Sequence, residues 1–240
     1  MLRTAFDGSH RRRIYVFRHG DVSYVDDNGV RVADSTIVPL TPWGREQATM
    51  TGKALANIPF DRAIASSFPR SQETAALILE GRGLEIEKED AFVEFQGDAA
   101  TRNAVTDLNE LAYAFRNAHV PGERYIGGDV FEEVYARVIN RFEEVLKDKN
   151  WETLAIVAHG GINRLFLGWA FGTGLANFNA IDQNTCCFNV IDVDTHPETG
   201  EVVRKCVRTM NTAVYDIPKE SSHLYSLEQI ATRLQKKANA

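Results

Sequence analysis

Three short apolar runs in the sequence end abruptly in polar residues, and a helical pattern follows each of them. The runs are residues 14–17, 63–65 and 153–158, and each has the length of a buried strand. Strands that alternate with helices form a largely parallel sheet, because a parallel connection needs a crossover segment. The sequence therefore predicts an α/β fold with helices packed on a largely parallel central sheet.

Cap and turn signals place helices between these strands. Thr41 followed by Pro42 predicts a helix that ends before Pro59, and Pro69 begins a second helix that ends before Gly81. The other predicted elements are a long loop over residues 21–40, a strand over 84–87, helices over 108–118 and from Asp129, a hairpin of strands 187–193 and 202–207, and a final helix with a capping box of Ser226 and Gln229.

Length and composition are those of an ordinary globular protein. The chain has 240 residues, of which 44% are hydrophobic and 25% charged, and this balance predicts a folded protein. The length predicts a single domain over residues 1–240, in which residues 95–128 are long enough to form a small cap. Function must therefore be read from particular side chains.

Charge and hydropathy argue against two classes of partner. The formal net charge is −6 at pH 7, whereas nucleic-acid binding needs clustered positive charge. The run from Arg11 to Arg13 is an exception, which we interpret as a solvated flank of the first strand. No stretch reaches the roughly 18 consecutive apolar residues of a membrane span. We expect no nucleic-acid or membrane partner, and the sequence leaves the oligomeric state open.

The cysteines indicate a reducing compartment. They are three in number, and Cys186 and Cys187 are adjacent, which fits neither a disulfide framework nor a zinc site. The first residues also lack the apolar segment of a secretory signal. We therefore expect reduced thiols and a cytoplasmic protein.

Polar residues at the three strand ends should meet at one edge of the sheet. In open α/β sheets, ligands bind outside the carboxyl ends of the strands. A phosphoryl group fits two arginine side chains better than a carboxylate ligand does, because its three equatorial oxygens can engage both guanidinium groups. Glycine beside these groups lets the backbone approach. The sequence therefore predicts a phosphate site made by Arg18-His19-Gly20, Ser66-Ser67 with Arg70, and His159-Gly160.

Two imidazoles can divide the chemistry of phosphoryl transfer. One of them, if neutral, can attack phosphorus, while the other, expected to be cationic beside the dianion, stabilises charge on the transferring oxygens. The leaving alkoxide needs a proton from a carboxylic acid. Glu94 is the first candidate, because its apolar neighbours favour the protonated form; Asp98 is the reserve and Asp21 a weaker candidate. Each residue alone fits a structural role, and their joint placement favours catalysis.

Four segments of the sequence match, in order and spacing, the pattern of one enzyme family. They are Arg18-His19-Gly20, Leu40 to Ala48, Ser66 to Arg70 with Thr74-Ala75, and Val157 to Gly161. Over roughly residues 13–193 the chain thereby resembles the histidine phosphatase superfamily, also called phosphoglycerate mutase-like. The resemblance implies a three-layer α/β/α fold, a phosphohistidine intermediate and no metal or organic cofactor.

The same resemblance assigns roles to individual residues. His19 would be the nucleophile, and Glu94 would be the proton donor. The phosphate pocket would consist of Arg18, Arg70 and His159, with Gly20 beside it. The segment Asn184-Thr185-Cys186 falls where the family often places a backbone donor near phosphate, so Asn184 and Thr185 are expected to bind substrate.

Some residues differ from the family pattern. After Gly20 the family often has an acidic or amide residue, a threonine and an asparagine that touches phosphate, where this chain has Asp21, Val22 and Val25. Glu94 precedes Gly97 by three residues, where the family pattern usually leaves four. These differences are compatible with phosphate binding and leave the identity of the substrate open.

These observations favour a phosphomonoester hydrolase of the histidine acid phosphatase type that acts on a small phosphorylated metabolite. A mutase-like phosphotransferase is the first alternative, and it would need a lid that keeps water from the phosphohistidine. The basic residues of segment 95–128 could then meet a second anionic group, although exposed charges are usually only solvated. Those residues are Arg102, Arg116, His119 and Arg124.

Two further alternatives belong to other functional classes. The pocket could serve a non-catalytic module that binds phosphate esters or another protein. The two histidines and a carboxylate could instead hold a metal ion, but the two arginines beside them would repel a cation.

Overall fold

The computed structural model describes residues 4–5, 7–25, 32–104, 107–221 and 223–238; the side chains of residues 102–104 and 236–238 are not described. The strands are β1 (His10–Arg18), β2 (Arg62–Ser66), β3 (Ile86–Glu89), β4 (Thr153–Ala158), β5 (Phe188–Thr195) and β6 (Val202–Thr212). The helices are α1 (Pro42–Ala54), α2 (Pro69–Ile78), α3 (Ala99–Ala104), α4 (Leu108–Ala112), α5 (Phe131–Lys147), α6 (Gly160–Phe171) and α7 (Ser226–Ala238). Within these residues, no helix combines the length and the apolar character that crossing a bilayer requires.

The six strands form one mixed sheet in the order β3-β2-β4-β1-β5-β6. The first four of these run parallel to one another. β5 is antiparallel to both β1 and β6, and it forms the predicted hairpin with β6. The sheet is therefore largely parallel, as the sequence predicts.

Helices cover both faces of this sheet. Successive strand residues point to opposite faces, and in β1 the residues Ile14 and Val16 join a core formed with α5 and α6. Tyr15 and Phe17 join a separate core formed with α1 and α2. All residues of β4 are buried, as in a central parallel strand. The predicted three-layer α/β/α architecture is confirmed.

Several element boundaries differ from the predicted ones. The predicted helix over 108–118 ends at Ala112, because the chain then makes three-residue turns such as Arg116 N–H to Tyr113 O at 2.9 Å. α3 was not predicted. β6 continues past residue 207, because its pairing with β5 extends to Thr212 opposite Phe188.

The predicted loop over residues 21–40 is anchored at both ends. Val22 forms an antiparallel bridge with Leu40, and both pack with buried Val38. Residues 26–31 of this loop lie outside the described part of the chain. At its end Thr41 caps α1, and its Oγ1 accepts a hydrogen bond of 3.0 Å from the Gly44 N–H, as predicted.

The predicted capping box of α7 is wrong. The residue before the helix is Tyr225, and its N–H donates to the Glu228 carboxylate at 2.8 Å. The Ser226 hydroxyl instead donates to Asp182 at 3.0 Å, which fastens the start of α7 to the body of the protein. The Ser226 hydroxyl therefore binds a carboxylate that is distant in sequence, although the local pattern predicted that it would cap its own helix.

The prediction of a solvated arginine run before the first strand is also wrong, because the run lies within β1. Arg11 and Arg13 form bidentate pairs with Asp194 and Asp192, both buried. Arg12 points to the opposite face and is only 1% exposed. Its charge lies in the core and its pKa is lowered by burial.

Arg12 stabilises the end of α5. Its guanidinium donates to the carbonyl oxygens of Leu146 and Asp148, both at 2.6 Å, and lies 4.2 Å from the ring centre of Trp151. These carbonyls belong to the last turn of the helix, where no intrahelical donor reaches them. The arginine thus replaces the missing donors.

Replacing Arg12 with methionine should lower the free energy of unfolding by about 3 kcal/mol, because two carbonyls lose their donor in a low-dielectric region. Urea unfolding followed by circular dichroism measures this. Arg45→Met is the matched control, since Arg45 pairs with Glu73 at the surface, and it should change stability by less than about 1 kcal/mol. Equal effects of the two substitutions would contradict the role of Arg12.

Candidate active site

The three predicted strand ends meet at one edge of the sheet. β4 lies between β1 and β2, so the residues that follow these strands are neighbours. The rings of His19 and His159 are 5.1 Å apart between centres, with an angle of 66° between their planes. Arg18, His19, Arg70, Glu94 and Gly160 line one cavity.

The hydrogen bonds of His19 favour one tautomer. Its Nδ1 lies 2.7 Å from the Gly20 carbonyl oxygen, which can only accept, so Nδ1 carries the proton. Its Nε2 is then unprotonated, and the lone pair accepts a hydrogen bond from Arg70 Nε at 3.2 Å. Burial, followed by the charges of Arg70 and Arg18, lowers the pKa of His19 well below 6.5. The imidazole is therefore neutral with Nε2 available.

The surrounding protein groups keep His159 neutral as well. Burial is the main cause of its lowered pKa, and Arg70 is the next. Its Nε2 lies 2.8 Å from the Ser66 hydroxyl. Among the described residues, its buried Nδ1 has no hydrogen-bond partner. The cationic form expected from the sequence is not favoured by the surrounding protein groups and would need a bound anion.

The two arginines are held by backbone carbonyls. Arg18 is 8% exposed and donates to the Gln183 carbonyl. Arg70 is 2% exposed, and its Nη1 donates to the Ser35 carbonyl at 2.9 Å. The Phe68 ring covers the Arg70 guanidinium, with 4.8 Å between their centres. Because a carbonyl oxygen carries only partial charge, this arrangement leaves the positive potential in place.

Glu94 reaches the site through the start of α6. Its Oε2 accepts from the Gly161 N–H at 3.0 Å and its Oε1 from the Phe95 N–H at 3.1 Å. A Cβ atom at Gly161 would lie 2.4 Å from Oε1, so only glycine leaves room for this carboxylate. The carboxylate has a defined position in the wall of the cavity that His19 lines.

The two other carboxylate candidates lie elsewhere. Asp98 is exposed, and its carboxylate accepts from the Thr101 N–H at 2.7 Å at the start of α3. Asp21 accepts from the Thr41 hydroxyl at 2.9 Å and pairs with Arg233 at 2.8 Å. Neither lines the cavity beside His19 and Glu94.

Asn184 and Thr185 lie on the far side of Arg18, in a neighbouring cavity. The Asn184 N–H donates to Asn211 at 2.7 Å, so it is already engaged with the protein. The Thr185 hydroxyl accepts from the Gln47 side chain at 2.9 Å. Their role in substrate binding stays a prediction.

Gly20 and Gly44 bring the end of β1 against α1. A Cβ atom on Gly20 would lie 2.4 Å from the Gly44 carbonyl oxygen, and one on Gly44 would lie 2.3 Å from that of Asp21. The Gly20 N–H donates to the Thr74 hydroxyl at 3.0 Å. The contact fixes the backbone that carries His19.

Cys186 and Cys187 lie behind His19, and the Cys186 N–H donates to the His19 carbonyl at 3.0 Å. Burial raises the pKa of each thiol to about 12. A thiolate is the nucleophilic form of cysteine. Neither residue therefore competes with His19 as a nucleophile near neutral pH.

Two arginines beside the site were missed in the sequence. Arg164 of α6 lines the cavity, donates to the carbonyls of Gly160 and Ile181, and has a pKa lowered to about 10 by burial. Arg137 of α5 donates to the Val93 carbonyl at 2.9 Å and so fixes the segment before Glu94. A charged residue in the otherwise apolar stretch of α6 was the available signal for Arg164.

Those basic residues of segment 95–128 whose side chains the structure describes do not line the cavity. Arg116, His119 and Arg124 are exposed, and Arg124 donates to the Gly128 carbonyl at 2.7 Å. The side chain of Arg102 lies outside the described part of the structure. The described residues of this segment that reach the cavity are mostly apolar instead: Phe95, Gln96, Gly97, Leu111, Phe115, Tyr125 and Ile126.

The chain is similar to the proteins of one known family. Residues 14–205 match the family model of the histidine phosphatase superfamily, branch 1. The chain belongs to the histidine phosphatase superfamily. The matched residues include His19, Arg70, Glu94 and His159, and α7 lies beyond them.

Relatives in this superfamily are distant in sequence. The 2-carboxy-D-arabinitol-1-phosphatase of Triticum aestivum is 25% identical over 233 residues, which cover 88% of this chain and 43% of the wheat protein. A Salmonella paratyphi A protein named as a probable phosphoglycerate mutase is 24% identical over 151 residues, covering 62% of this chain and 69% of that one. The chain thus spans less than half the length of its wheat relative.

Solved structures share the fold. A mycobacterial glucosyl-3-phosphoglycerate phosphatase superposes with a TM-score of 0.68 at 22% identity and covers 84% of this chain and 99% of its own. At this identity the likeness supports the fold and not the substrate.

Protein stability should fall below pH 6.5 because of the two buried histidines. An unfolded chain protonates histidine near pH 6.5, whereas His19 and His159 have lowered pKa values in the folded protein. The unfolded state then binds more protons. The stabilisation present above pH 6.5 is lost at about 1.4 kcal/mol per pH unit for each histidine still neutral in the folded state.

Urea unfolding at about pH 7.5 and about pH 5.5 measures this loss. The double variant His19→Asn/His159→Asn should lose less stability on acidification than the wild type. His119→Asn, at an exposed position, is the matched control and should follow the wild type. An equal loss in the wild type and the double variant would contradict the prediction.

Proposed function

We propose that the protein is a phosphomonoesterase of the histidine acid phosphatase type that forms a phosphohistidine on His19. The observation that carries this proposal is the state of that residue: Nδ1 is held by the Gly20 carbonyl, and neutral Nε2 faces the Arg70 guanidinium in a cavity that Glu94 also lines. A nucleophile needs an available lone pair, and the opposite nitrogen fixes the tautomer.

In the first step, the Nε2 lone pair attacks phosphorus in line with the ester oxygen. The N–P bond forms as the P–O bond to the leaving group breaks. Arg18 and Arg70 hold the equatorial oxygens, because each guanidinium has donors in a fixed fork. His159 stabilises the charge on these oxygens, and a bound dianion favours its protonated form.

Glu94 serves as the acid and then as the base. In the carboxylic acid form it donates its proton to the leaving alkoxide, and the alcohol departs. As a carboxylate it then takes a proton from water, whose oxygen attacks phosphorus and breaks the N–P bond. Inorganic phosphate and an alcohol are the products, and His19 returns to its neutral state.

Family membership and the relatives' names support a phosphatase. The wheat relative is named for hydrolysis of a carboxyarabinitol phosphate and the mycobacterial structure for hydrolysis of a glucosyl phosphoglycerate. Hydrolysis is proposed over mutase activity, because Arg164, the described cavity arginine outside the proposed phosphate pocket, pairs with Asp182 at 3.5 Å and so offers no unbalanced charge for a second anionic group. A small phosphorylated compound is the proposed substrate.

His19→Ala should lower kcat for p-nitrophenyl phosphate at least about 10³-fold, because it removes the Nε2 atom on which the covalent intermediate forms. Initial rates are measured in EDTA from about pH 4.5 to pH 8. Wild-type activity should persist below pH 6.5, since the pKa of His19 is lowered and its imidazole remains neutral there. A fully active His19→Ala variant, or complete loss of wild-type activity in EDTA, would contradict the proposal.

Glu94→Gln should lower kcat/KM about 100-fold for alkyl phosphates and far less for p-nitrophenyl phosphate, because kcat/KM reports formation of the phosphohistidine and only a poor leaving group needs the proton in that step. Asp98→Asn is the matched carboxylate-to-amide control and should leave both rates within about twofold, since Asp98 lies outside the cavity. A larger effect of Asp98→Asn would transfer the role of acid to that residue.

Gly161→Ala should mimic Glu94→Gln without changing a carboxylate. The added methyl group occupies the position of Glu94 Oε1 and presses on the Phe95 ring, so the acid is displaced. We expect kcat/KM for alkyl phosphates to fall about 10-fold to 100-fold, because small misplacement of a proton donor is costly. Steady-state kinetics with both ester types measures it, and an equal loss with both would contradict displacement of the acid.

A further inference from the structure

The cavity beside His19 has a cationic end and an apolar end. Arg18, Arg70 and the backbone of Gly160 and Gly161 form the first. The second comes from segment 95–128 and from α7, and Glu94, the proposed proton donor to the leaving group, directly precedes its Phe95, so the leaving group of a bound ester would extend toward it. Its side chains are those of Phe95, Leu111, Phe115, Tyr125, Ile126, Leu227, Ile230 and Leu234.

α7 presents one face to this cavity. Leu227, Ile230 and Leu234 are spaced by three and four residues, so they lie on one side of the helix. All three are half-buried and line the cavity. The apolar side of α7 therefore forms a wall of the site.

Polar contacts near both ends of α7 hold it against the body of the protein. The Ser226 hydroxyl donates to Asp182 at 3.0 Å at the start of the helix. Two turns later Arg233 pairs with Asp21 at 2.8 Å and reaches the Val22 carbonyl at 3.3 Å. The wall is thus positioned by polar contacts outside the apolar face.

Polar groups around the apolar end are already engaged. Arg164 pairs with the Asp182 carboxylate at 3.5 Å, which balances its charge, and its guanidinium lies 4.9 Å from the centre of the Phe115 ring. The Gln96 amide donates to the Glu94 carbonyl at 2.9 Å. Among the described residues of the cavity, none offers an unengaged cation for a carboxylate or second phosphate of the substrate.

On the basis of the proposed function, we infer that the substrate is a phosphomonoester with an apolar alkyl or aryl leaving group that carries no second anionic group. Transfer of each methylene from water to an apolar wall raises affinity about fourfold. Rings and chains gain from Phe115 and Leu227, whereas a charged leaving group would be desolvated without a partner.

The test is a series of n-alkyl phosphates from ethyl to octyl, with glycerol 3-phosphate and 3-phosphoglycerate as polar and anionic members. We expect kcat/KM to rise about two- to fourfold per methylene until the wall is covered. Octyl phosphate should then exceed both polar esters at least about 100-fold. A flat series, or preference for 3-phosphoglycerate, would overturn the inference while leaving the phosphatase proposal intact.

Two variants locate the effect on α7. Ile230→Glu places a charge in the wall and should reduce kcat/KM for octyl phosphate at least about 10-fold, with a smaller loss for ethyl phosphate. Gln235→Glu adds the same charge on the exposed side of the helix and should behave as the wild type. Thermal unfolding of both variants identifies any loss of folded protein, and Ile230→Ala then repeats the test with a smaller change. The inference would be overturned if kcat/KM increased equally with each added methylene in the wild type, Ile230→Glu and Ile230→Ala.

Binding separates this inference from the proposed chemistry. Calorimetric titration of the His19→Ala variant with ethyl, butyl and octyl phosphate needs no turnover. Affinity that increases with chain length supports the apolar wall even if the wild type hydrolyses none of the esters, in which case the proposed function alone fails. Affinity independent of chain length overturns the wall.

Discussion

The site depends on how two buried guanidinium groups are held. Arg18 and Arg70 donate to backbone carbonyls, those of Gln183 and Ser35 among them. Carbonyl dipoles satisfy the donors and leave the net charge uncancelled. This field, added to burial, keeps His19 and His159 unprotonated. A phosphoryl dianion would supply the missing charge, so the groups that keep the imidazoles neutral would also attract an anion of this kind.

Other arginines of the chain pair with carboxylates and not with backbone carbonyls alone. Arg11 and Arg13 lie a few residues before Arg18 on the same strand, yet each forms a bidentate pair with a buried aspartate of β5. Their charge is cancelled, and they join two strands. One strand therefore carries arginines that fasten the sheet at one end and an arginine that prepares a binding site at the other.

The local sequence was sufficient to predict the residues at the strand ends and insufficient to predict the residues that contact them in the fold. Arg18, His19 and His159 were identified because a strand followed by a polar residue and glycine is a contiguous signal. Glu94 was proposed from its neighbours, but its position depends on the N–H of Gly161, far along the chain. The burial of Arg12, the carbonyl contacts of Arg164 and the contact of Ser226 with Asp182 likewise depend on tertiary packing. Short patterns do not encode such partners.

Gly20 and Gly44 are required by the fold, whatever the chemistry at the neighbouring site. Each would place a methyl group against backbone atoms of the other segment, and backbone, unlike a side chain, cannot be exchanged for something smaller. A descendant that lost its chemistry would still need both glycines in order to fold around the strand end. In such a lineage the glycines would persist, and replacement of the imidazole at position 19 would be compatible with an unchanged fold.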